Sequence, residues 1–308
     1  MRVLNVAVVL SLSVLLVSSF TQAQRIADEP MSSAITLEIP AQTLAEHEST
    51  EIIVHLPMGY TSDAERTYPV VFFLHGWGSD AGSFERLGGV RALADLPDDN
   101  AMVVVSVSGE TSSYMNWADG QSLWEDHLLG AVSDTVTSEF RVATRPQHRA
   151  LYGVSMGGAA ALRIAMSHPD KFACAAAHSA AISPIDFDEQ PEWQKTGFLE
   201  MEDFADRYGD PFNPDLWKAQ NPLHLALNSD PQDLRLVRYY FDVGVDDQLG
   251  FADDNAALSQ SLSKQGVPHI FAIRNGRHGS AFVEANINQA MQFLSRCMSS
   301  DHQSRTSQ

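Results

Sequence analysis

The sequence predicts an α/β fold, with a mostly parallel central sheet and helices on both of its faces. Continuous apolar runs, such as residues 70–74 and 101–109, are typical of strands that are buried on both faces. These runs alternate with segments whose apolar residues recur at helical spacing, such as residues 123–140 and 280–298. Alternating strands and helices form parallel sheets that the helices cover.

The individual elements follow from local patterns. Residues 34–41 and 49–60 alternate apolar and polar side chains, as half-exposed strands do. Pro169 ends the helix that begins at Met156, and Gly266 ends the next one. The predicted strands are 34–41, 49–60, 70–74, 101–109, 149–155, 172–180, 234–244 and 269–276, and the predicted helices are 123–140, 156–168, 255–266 and 280–298.

The first 23 residues read as a signal peptide. Arg2 is their only charge, residues 6–17 are an apolar block, and small residues suited to cleavage precede Ala23. The alternative is a membrane anchor, but the apolar block is short for a bilayer span. We therefore expect export to a periplasmic or extracellular location, without stable membrane insertion after processing.

Residues 24–298 read as one domain, because the segment has no internal repeat and no linker rich in Pro, Gly or Ser. Residues 183–230 interrupt the alternation with aromatic, acidic and proline residues, and they are too many for a plain connection. They form either a lid or wall over an active site or an insertion with its own small core. The polar tail, residues 299–308, is predicted to be disordered.

Composition excludes several classes of partner and cofactor. The net charge of −19 argues against nucleic acid and anionic membranes as partners. The two cysteines, Cys174 and Cys297, form no CxxC metal motif, and they are either a disulfide or two buried thiols. No metal or cofactor is predicted.

A serine between glycines is the strongest chemical signal. Gly153, Ser155 and Gly157 form a G-x-S-x-G pattern between a predicted strand and a predicted helix, the context that this motif requires. A sharp turn there exposes the serine hydroxyl, and glycine is needed where a side chain would strike a neighbouring element. Ser155 is therefore the predicted nucleophile. The N–H of Met156, at the helix N-terminus, is a predicted oxyanion donor.

A serine nucleophile needs a base, and the base follows it in the chain in this arrangement. His278 lies in a glycine-flanked loop between the last predicted strand and the last helix. His269 lies inside a strand, His302 lies in the tail, and His168 precedes the proline that ends a helix. We predict His278 as the base.

The acid and the second oxyanion donor come from other loops. Asp246 and Asp247 both follow the strand that contains Asp242, and spacing does not separate these two carboxylates. Gly76 allows close approach of the backbone after the 70–74 strand, so the N–H of Trp77 is the second predicted donor. A dinucleotide-binding reading of "GWGSDAG" fails, because its glycine spacing is one residue off and it does not open the first βαβ unit.

These motifs together resemble a known family. The chain resembles the esterase D-like (putative esterase) branch of the α/β-hydrolases over roughly residues 35–296. That branch includes feruloyl and acetylxylan esterases, S-formylglutathione hydrolases and the antigen 85 mycolyltransferases. The resemblance rests on "VHLPMGY", "YPVVFFLHGWG", "WEDHLL", "ALYGVSMGGAAALRIAMSHPDKF", "FDVGVDDQL" and "GRHGSAF".

The resemblance implies an α/β-hydrolase fold and roles for particular residues. It implies Ser155 as nucleophile and His278 as base, and it favours Asp247 because the acid of the family stands third after a glycine, here Gly244. It also implies oxyanion donors at Trp77 and Met156. The similarity of the segment 114–120 to one near the acyl pocket of secreted members places Trp117 and Asp119 close to substrate.

The predicted function is an exported serine carboxylesterase that acts through a Ser-His-Asp triad and an acyl-enzyme. Its predicted substrate is a small-molecule or carbohydrate-linked ester with a feruloyl, acetyl or short-chain acyl group. The first alternative is an acyltransferase in which a sugar hydroxyl replaces water on the same triad. The second is a non-catalytic binding protein that has kept the fold.

Overall fold

The computed structural model describes residues 33–299. The predicted signal peptide, residues 1–23, lies outside the described residues, as does the predicted tail apart from Ser299. Within the described residues, no helix combines the length and the apolar character that a bilayer span requires.

Eight strands form one sheet. Their bounds are β1 Ser33–Pro40, β2 Ser49–Leu56, β3 Val70–Leu74, β4 Val103–Val107, β5 Arg149–Val154, β6 Cys174–His178, β7 Arg238–Gly244 and β8 His269–Arg274. Their spatial order is β1-β2-β4-β3-β5-β6-β7-β8. The pairs β1–β2 and β2–β4 are antiparallel, and all the other neighbouring pairs are parallel. The predicted α/β fold with a mostly parallel sheet is confirmed.

Helices cover both faces of the sheet. Their bounds are α1 Ser83–Arg86, α2 Gly89–Ala94, α3 Trp124–His127, α4 Ser133–Glu139, α5 Met156–Ser167, α6 Glu192–Leu199, α7 Phe204–Tyr208, α8 Pro214–Ala219, α9 Pro222–Asn228, α10 Pro231–Leu234, α11 Phe251–Lys264 and α12 Ser280–Met298. Apolar side chains of α5, α9 and α11 pack into the core on one face, and those of α2 and α12 pack on the other. The short helices α1, α2 and α10, and the helices α6 to α9 within residues 183–230, were not predicted from the sequence.

The helix predicted at 123–140 is interrupted by a π-helical segment, Leu128–Val132, between α3 and α4. Its buried apolar residues Trp124, Leu128, Val132 and Val136 stand four positions apart. An α-helix has 3.6 residues per turn, so residues at this spacing drift around its axis. The wider π turn offsets that drift and keeps the four side chains on the buried face.

Residues 183–230 contain the helices α6 to α9. Their aromatic side chains pack around Trp217, whose ring lies 4.9 Å from that of Phe187 and 5.0 Å from that of Phe198. The cluster also includes Met115 and Trp117 from the segment after β4. The insertion thus has a small aromatic core of its own.

Cys174 and Cys297 form a disulfide. Cys174 is fully buried in β6, and Cys297 lies in the last turn of α12. The bond settles the alternative that the sequence left open, and it ties the C-terminal helix to the centre of the sheet.

Candidate active site

Ser155 occupies a strained turn between β5 and α5. Its backbone has φ 54° and ψ −115°, a positive-φ conformation that residues other than glycine rarely adopt. Its N–H donates to the carbonyl of His178 at 2.9 Å, which fixes the turn to the end of β6. A strained, well-anchored turn of this kind is typical of functional positions.

The flanking glycines are required by contacts that a side chain would make. A Cβ at Gly153 would lie 2.1 Å from the carbonyl oxygen of Gly157, within the helix that follows the turn. A Cβ at Gly157 would lie 2.1 Å from the carbonyl oxygen of Leu74, at the end of β3. Both distances are far below van der Waals contact, so the turn can form only with glycine at these two positions.

His278 lies between β8 and α12, and its ring contacts two predicted site residues. Its Nε2 is 2.9 Å from Oγ of Ser155. Its Nδ1 is 3.0 Å from Oδ2 of Asp247. The three side chains thus form a continuous hydrogen-bonded chain, although 123 positions separate Ser155 from His278 in sequence.

The three candidate carboxylates have separate environments. The Asp247 side chain is fully buried, and its Oδ1 accepts the N–H of Leu249 at 2.9 Å, which orients Oδ2 towards His278. Asp246 is exposed and instead donates its N–H to the carbonyl of Gly276. Asp242 lies inside β7 and accepts hydrogen bonds from His178, Tyr240 and Arg274.

The second loop at the site follows β3. A Cβ placed on Gly76 would lie 3.4 Å from Cβ of Ser155, so the backbone that leads to Trp77 runs beside the serine. His75 is fully buried, and its Nε2 accepts the N–H of Gly109 at 2.9 Å. Its Nδ1 therefore carries the proton and donates to the carbonyl of Gly76 at 2.8 Å. Burial lowers the pKa of His75, which favours this neutral form.

Ser155 opens onto a cavity of about 480 Å³. Trp77, Met156, Leu249 and Phe251 line it near the serine. The insertion supplies a further part of the lining, which consists of Ser183, Trp193, Gln194, Gly197, Phe198, Met201, Tyr208, Trp217, Gln220, Asn221 and Pro222. The insertion therefore has both an aromatic core and a surface that walls the cavity.

Arg163 contributes a buried charge to the cavity lining. It forms an ion pair with Glu125, and its guanidinium also donates to the carbonyl of Tyr114 at 2.7 Å. Burial alone would raise the pKa of Glu125, but the hydrogen bond from His168 and the charge of Arg163 outweigh burial and lower it to about 2. Since Glu125 stays ionised, it compensates the charge of Arg163.

Trp117 and Asp119 do not line the cavity. Trp117 stacks on the guanidinium of Arg207, whose central carbon lies 4.7 Å from the ring centroid, and Asp119 accepts the N–H of Gln121. Backbone bonds from Ala118 and Asp119 to α7 hold this segment against the insertion. The sequence similarity located a segment that supports the cavity wall, and a place for Trp117 and Asp119 beside a bound substrate stays a prediction.

Sequence reasoning missed two neighbours of His278. The ring of Phe251 lies at a steep angle to the imidazole, with 5.5 Å between centroids. The side chain of Gln248 bonds to the backbone of His278. Their only sequence signal is that both closely follow Asp247, and neither residue type is typical of a catalytic group.

The family comparison agrees with this geometry. The model of the Esterase family, described as putative esterase, matches residues 45–294. The chain belongs to the putative esterase family. The predicted family is confirmed, and the prediction of a carboxylic ester hydrolase is confirmed at the level of the family.

Individual relatives cover parts of the chain. Esterase Rv1288 of Mycobacterium tuberculosis is 31% identical over 148 residues, which are 46% of this chain and 31% of that protein. This chain therefore matches about a third of the length of that relative.

Solved structures agree in fold over most of the chain. A ferulic acid esterase has a TM-score of 0.71 at 23% identity and covers 87% of this chain and 98% of its own. FphF, a fluorophosphonate-binding serine hydrolase of Staphylococcus aureus, has a TM-score of 0.70 at 23% identity and covers 86% and 98%. The predicted α/β-hydrolase fold is confirmed.

Proposed function

We propose that the protein is an exported serine carboxylesterase in which Ser155 is the nucleophile, His278 the base and Asp247 the acid. The observation that carries this proposal is the 2.9 Å contact between Oγ of Ser155 and Nε2 of His278 at the edge of an apolar cavity. Asp247 supports it, since its contact with Nδ1 leaves Nε2 free to accept the serine proton.

In the proposed reaction, Nε2 of His278 takes the proton of Ser155 as Oγ attacks the ester carbonyl. The tetrahedral intermediate collapses, His278 protonates the leaving alcohol, and an acyl-serine remains. Water then gives a proton to His278 as it attacks the acyl-serine. His278 returns that proton to Oγ when the second tetrahedral intermediate collapses, which releases the acid and restores Ser155. The carboxylate of Asp247 stabilises the imidazolium in both halves of the reaction.

The negative charge of each intermediate needs hydrogen-bond donors. We assign this role to the backbone N–H groups of Met156 and Trp77. Met156 begins α5, where the first N–H groups lack partners within the helix and the helix dipole favours an anion. Trp77 follows Gly76, whose backbone runs beside Ser155, and the buried His75 fixes the carbonyl of Gly76.

The cavity favours a bulky acyl group over acetyl. Its volume of about 480 Å³ lies within the range of sites that hold small organic ligands. Its walls are rich in aromatic and apolar residues, with Trp193 and Phe198 contributed by the insertion. We therefore propose an aromatic or medium-chain acyl group, and a feruloyl ester is the first to test because a ferulic acid esterase shares the fold.

Export is supported by two independent features. Residues 1–23 have the pattern of a cleaved signal peptide. The Cys174–Cys297 disulfide is typical of proteins that mature outside the reducing cytosol. The net charge of −19 disfavours nucleic acid and anionic membranes as partners, so the proposed partner is a small-molecule or carbohydrate-linked ester.

Acyl transfer to a carbohydrate is the alternative function. The Trp77 side chain is half-exposed beside Ser155, and an exposed indole is a suitable surface for a sugar ring. A sugar hydroxyl would then replace water in the second half of the reaction. Analysis of the products formed with and without carbohydrate acceptors separates the two functions.

Active-site labelling tests the proposal. We expect a fluorophosphonate probe to add one mass adduct to the wild-type protein and none to Ser155→Ala. The matched control is Ser179→Ala, because Ser179 is a second serine with positive φ, at the end of the neighbouring strand. Adduct formation that persists in Ser155→Ala would contradict the assignment of the nucleophile.

A further inference from the structure

The loops that carry Asp247 and His278 are joined by backbone hydrogen bonds. The N–H of Val245 donates to the carbonyl of Arg274 at 2.7 Å, and the N–H of Asp246 donates to the carbonyl of Gly276 at 3.0 Å. A Cβ at Gly244 would lie 2.4 Å from the carbonyl oxygen of Gly276, so glycine allows this close approach. The pairing of β7 with β8 thus continues past the ends of both strands.

The backbone cannot extend this pairing to His278. The N–H of Asp247 turns back to the carbonyl of Gly244 at 3.1 Å, so it is not available to the other loop. The side chain of Gln248 takes its place. Its Nε2 donates to the carbonyl of His278 at 3.0 Å, and its Oε1 accepts the N–H of His278 at 3.1 Å. The side-chain amide of glutamine has an NH₂ group that donates and an oxygen that accepts. It can therefore bond to both the carbonyl and the N–H of one residue.

We infer that Gln248 is a positioning residue that holds the base in line with the nucleophile and the acid. The catalytic importance of this positioning rests on the proposed function. Within residues 33–299, no other protein group is hydrogen-bonded to the backbone N–H or carbonyl of His278.

The loop needs such a restraint. Gly279, with φ 150°, directly follows His278, and Gly276, with φ 139°, lies two residues before it. Glycine leaves the backbone more conformational freedom than any other residue does. The imidazole must nevertheless contact Asp247 and Ser155 together, at 3.0 Å and 2.9 Å. Gln248 restrains the backbone of His278, where a shift would break both contacts.

Replacement of Gln248 by methionine tests this role, because methionine has a similar length and makes neither hydrogen bond. We expect kcat on a p-nitrophenyl ester to fall by about tenfold to a hundredfold, as for small misplacements of catalytic groups, with KM within about twofold. Gln248 is exposed, so the variant should fold with an unchanged Tm. The control is Gln292→Met, because Gln292 is exposed on α12 and its side chain makes no hydrogen bond to any residue of the described range. This variant should match wild type.

Amide hydrogen exchange at His278 provides a second readout that does not need activity. We expect exchange at His278 to accelerate at least about tenfold in Gln248→Met, since its N–H loses its acceptor, and exchange within β7 to stay unchanged. Unchanged kcat in this variant, or a loss of kcat that accompanies a general fall in Tm, would overturn the inference. A wild-type protein without ester hydrolysis would end the proposed function, and exchange at His278 would then decide whether Gln248 holds this residue.

Discussion

The carboxyl edge of the sheet and the 183–230 insertion face the same cavity but are built differently. At the sheet edge, each candidate catalytic side chain follows a strand within a few residues, as Ser155 follows the buried strand β5 and His278 follows β8, the partly exposed last strand of the sheet. The insertion instead uses short helices around aromatic side chains such as Trp217. The comparison teaches that strand ends set the positions of the candidate catalytic groups, whereas a separate small core sets the shape of the cavity.

Among the residues at the carboxyl edge of the sheet, loss of the proposed nucleophile should lower kcat the most. We expect Ser155→Ala to lower kcat by about 10⁵-fold or more, as removal of a nucleophile does in other serine hydrolases. Its Tm should stay close to that of wild type, since alanine removes one hydroxyl. Steady-state hydrolysis of a p-nitrophenyl ester and thermal unfolding measure both. Residual activity within a hundredfold of wild type would show that another group attacks the ester.

The two adjacent carboxylates offer the next test. We expect Asp247→Asn to lower kcat by about 10³- to 10⁴-fold, because the amide favours the wrong tautomer of His278. Asp246→Asn is the matched control, and it should stay within about twofold of wild type because that side chain is exposed. Equal losses in the two variants would contradict the assignment of the acid.

The insertion should affect substrate preference more than chemistry. We expect Phe198→Ala to lower kcat/KM for a bulky ester such as methyl ferulate by about tenfold to a hundredfold, since an aromatic side chain contributes roughly 2 kcal/mol of apolar contact. Hydrolysis of p-nitrophenyl acetate should change by less than about threefold. Leu199→Ala is the control, because this neighbouring side chain is 61% exposed and lies outside the cavity lining. Equal losses on both esters would mean that the insertion acts on the catalytic groups as well.

The smallest effect is expected from His55 in β2, which should make the stability of the fold depend on pH without affecting catalysis. Among the described residues, 33–299, neither of its ring nitrogens has a hydrogen-bond partner, and burial lowers its pKa from 6.5 to about 4. The unfolded chain therefore binds a proton that the folded protein rejects, so stability falls as pH drops from 6.5 towards 4. The loss from this residue is on the order of 3 kcal/mol over that range.

Urea unfolding of wild type and His55→Leu at pH 7 and pH 4 measures the loss of stability that His55 causes. The variant should lose less stability than wild type as the pH falls, and kcat at pH 7 should be unchanged. Parallel losses in the two proteins would show that His55 does not carry the effect.

The sequence predicts the sheet edge better than the insertion for a physical reason. Buried parallel strands require continuous apolar runs, and the turn at Ser155 requires glycine at its flanks, so local patterns reveal both. The choice between Asp246 and Asp247 is different, because it depends on which carboxylate the fold turns towards His278. Spacing left it open, and only the family resemblance favoured Asp247.

The remaining differences arise where packing decides the structure. The π segment at Leu128–Val132 follows from a four-residue spacing that also fits a regular helix over a shorter span. Trp117 packs against Arg207, a contact between distant segments that no local pattern encodes. The aromatic residues of 183–230 left open whether this segment is a wall over the site or an insertion with its own core, because which of them line the cavity depends on how the short helices pack.

The most direct test of the account is the kcat of the double variant Ser155→Ala, His278→Ala beside the two single variants. If the two side chains act as one unit, the double variant should be no less active than the less active single variant. Losses that multiply in the double variant would mean that Ser155 and His278 act independently, and they would contradict the account.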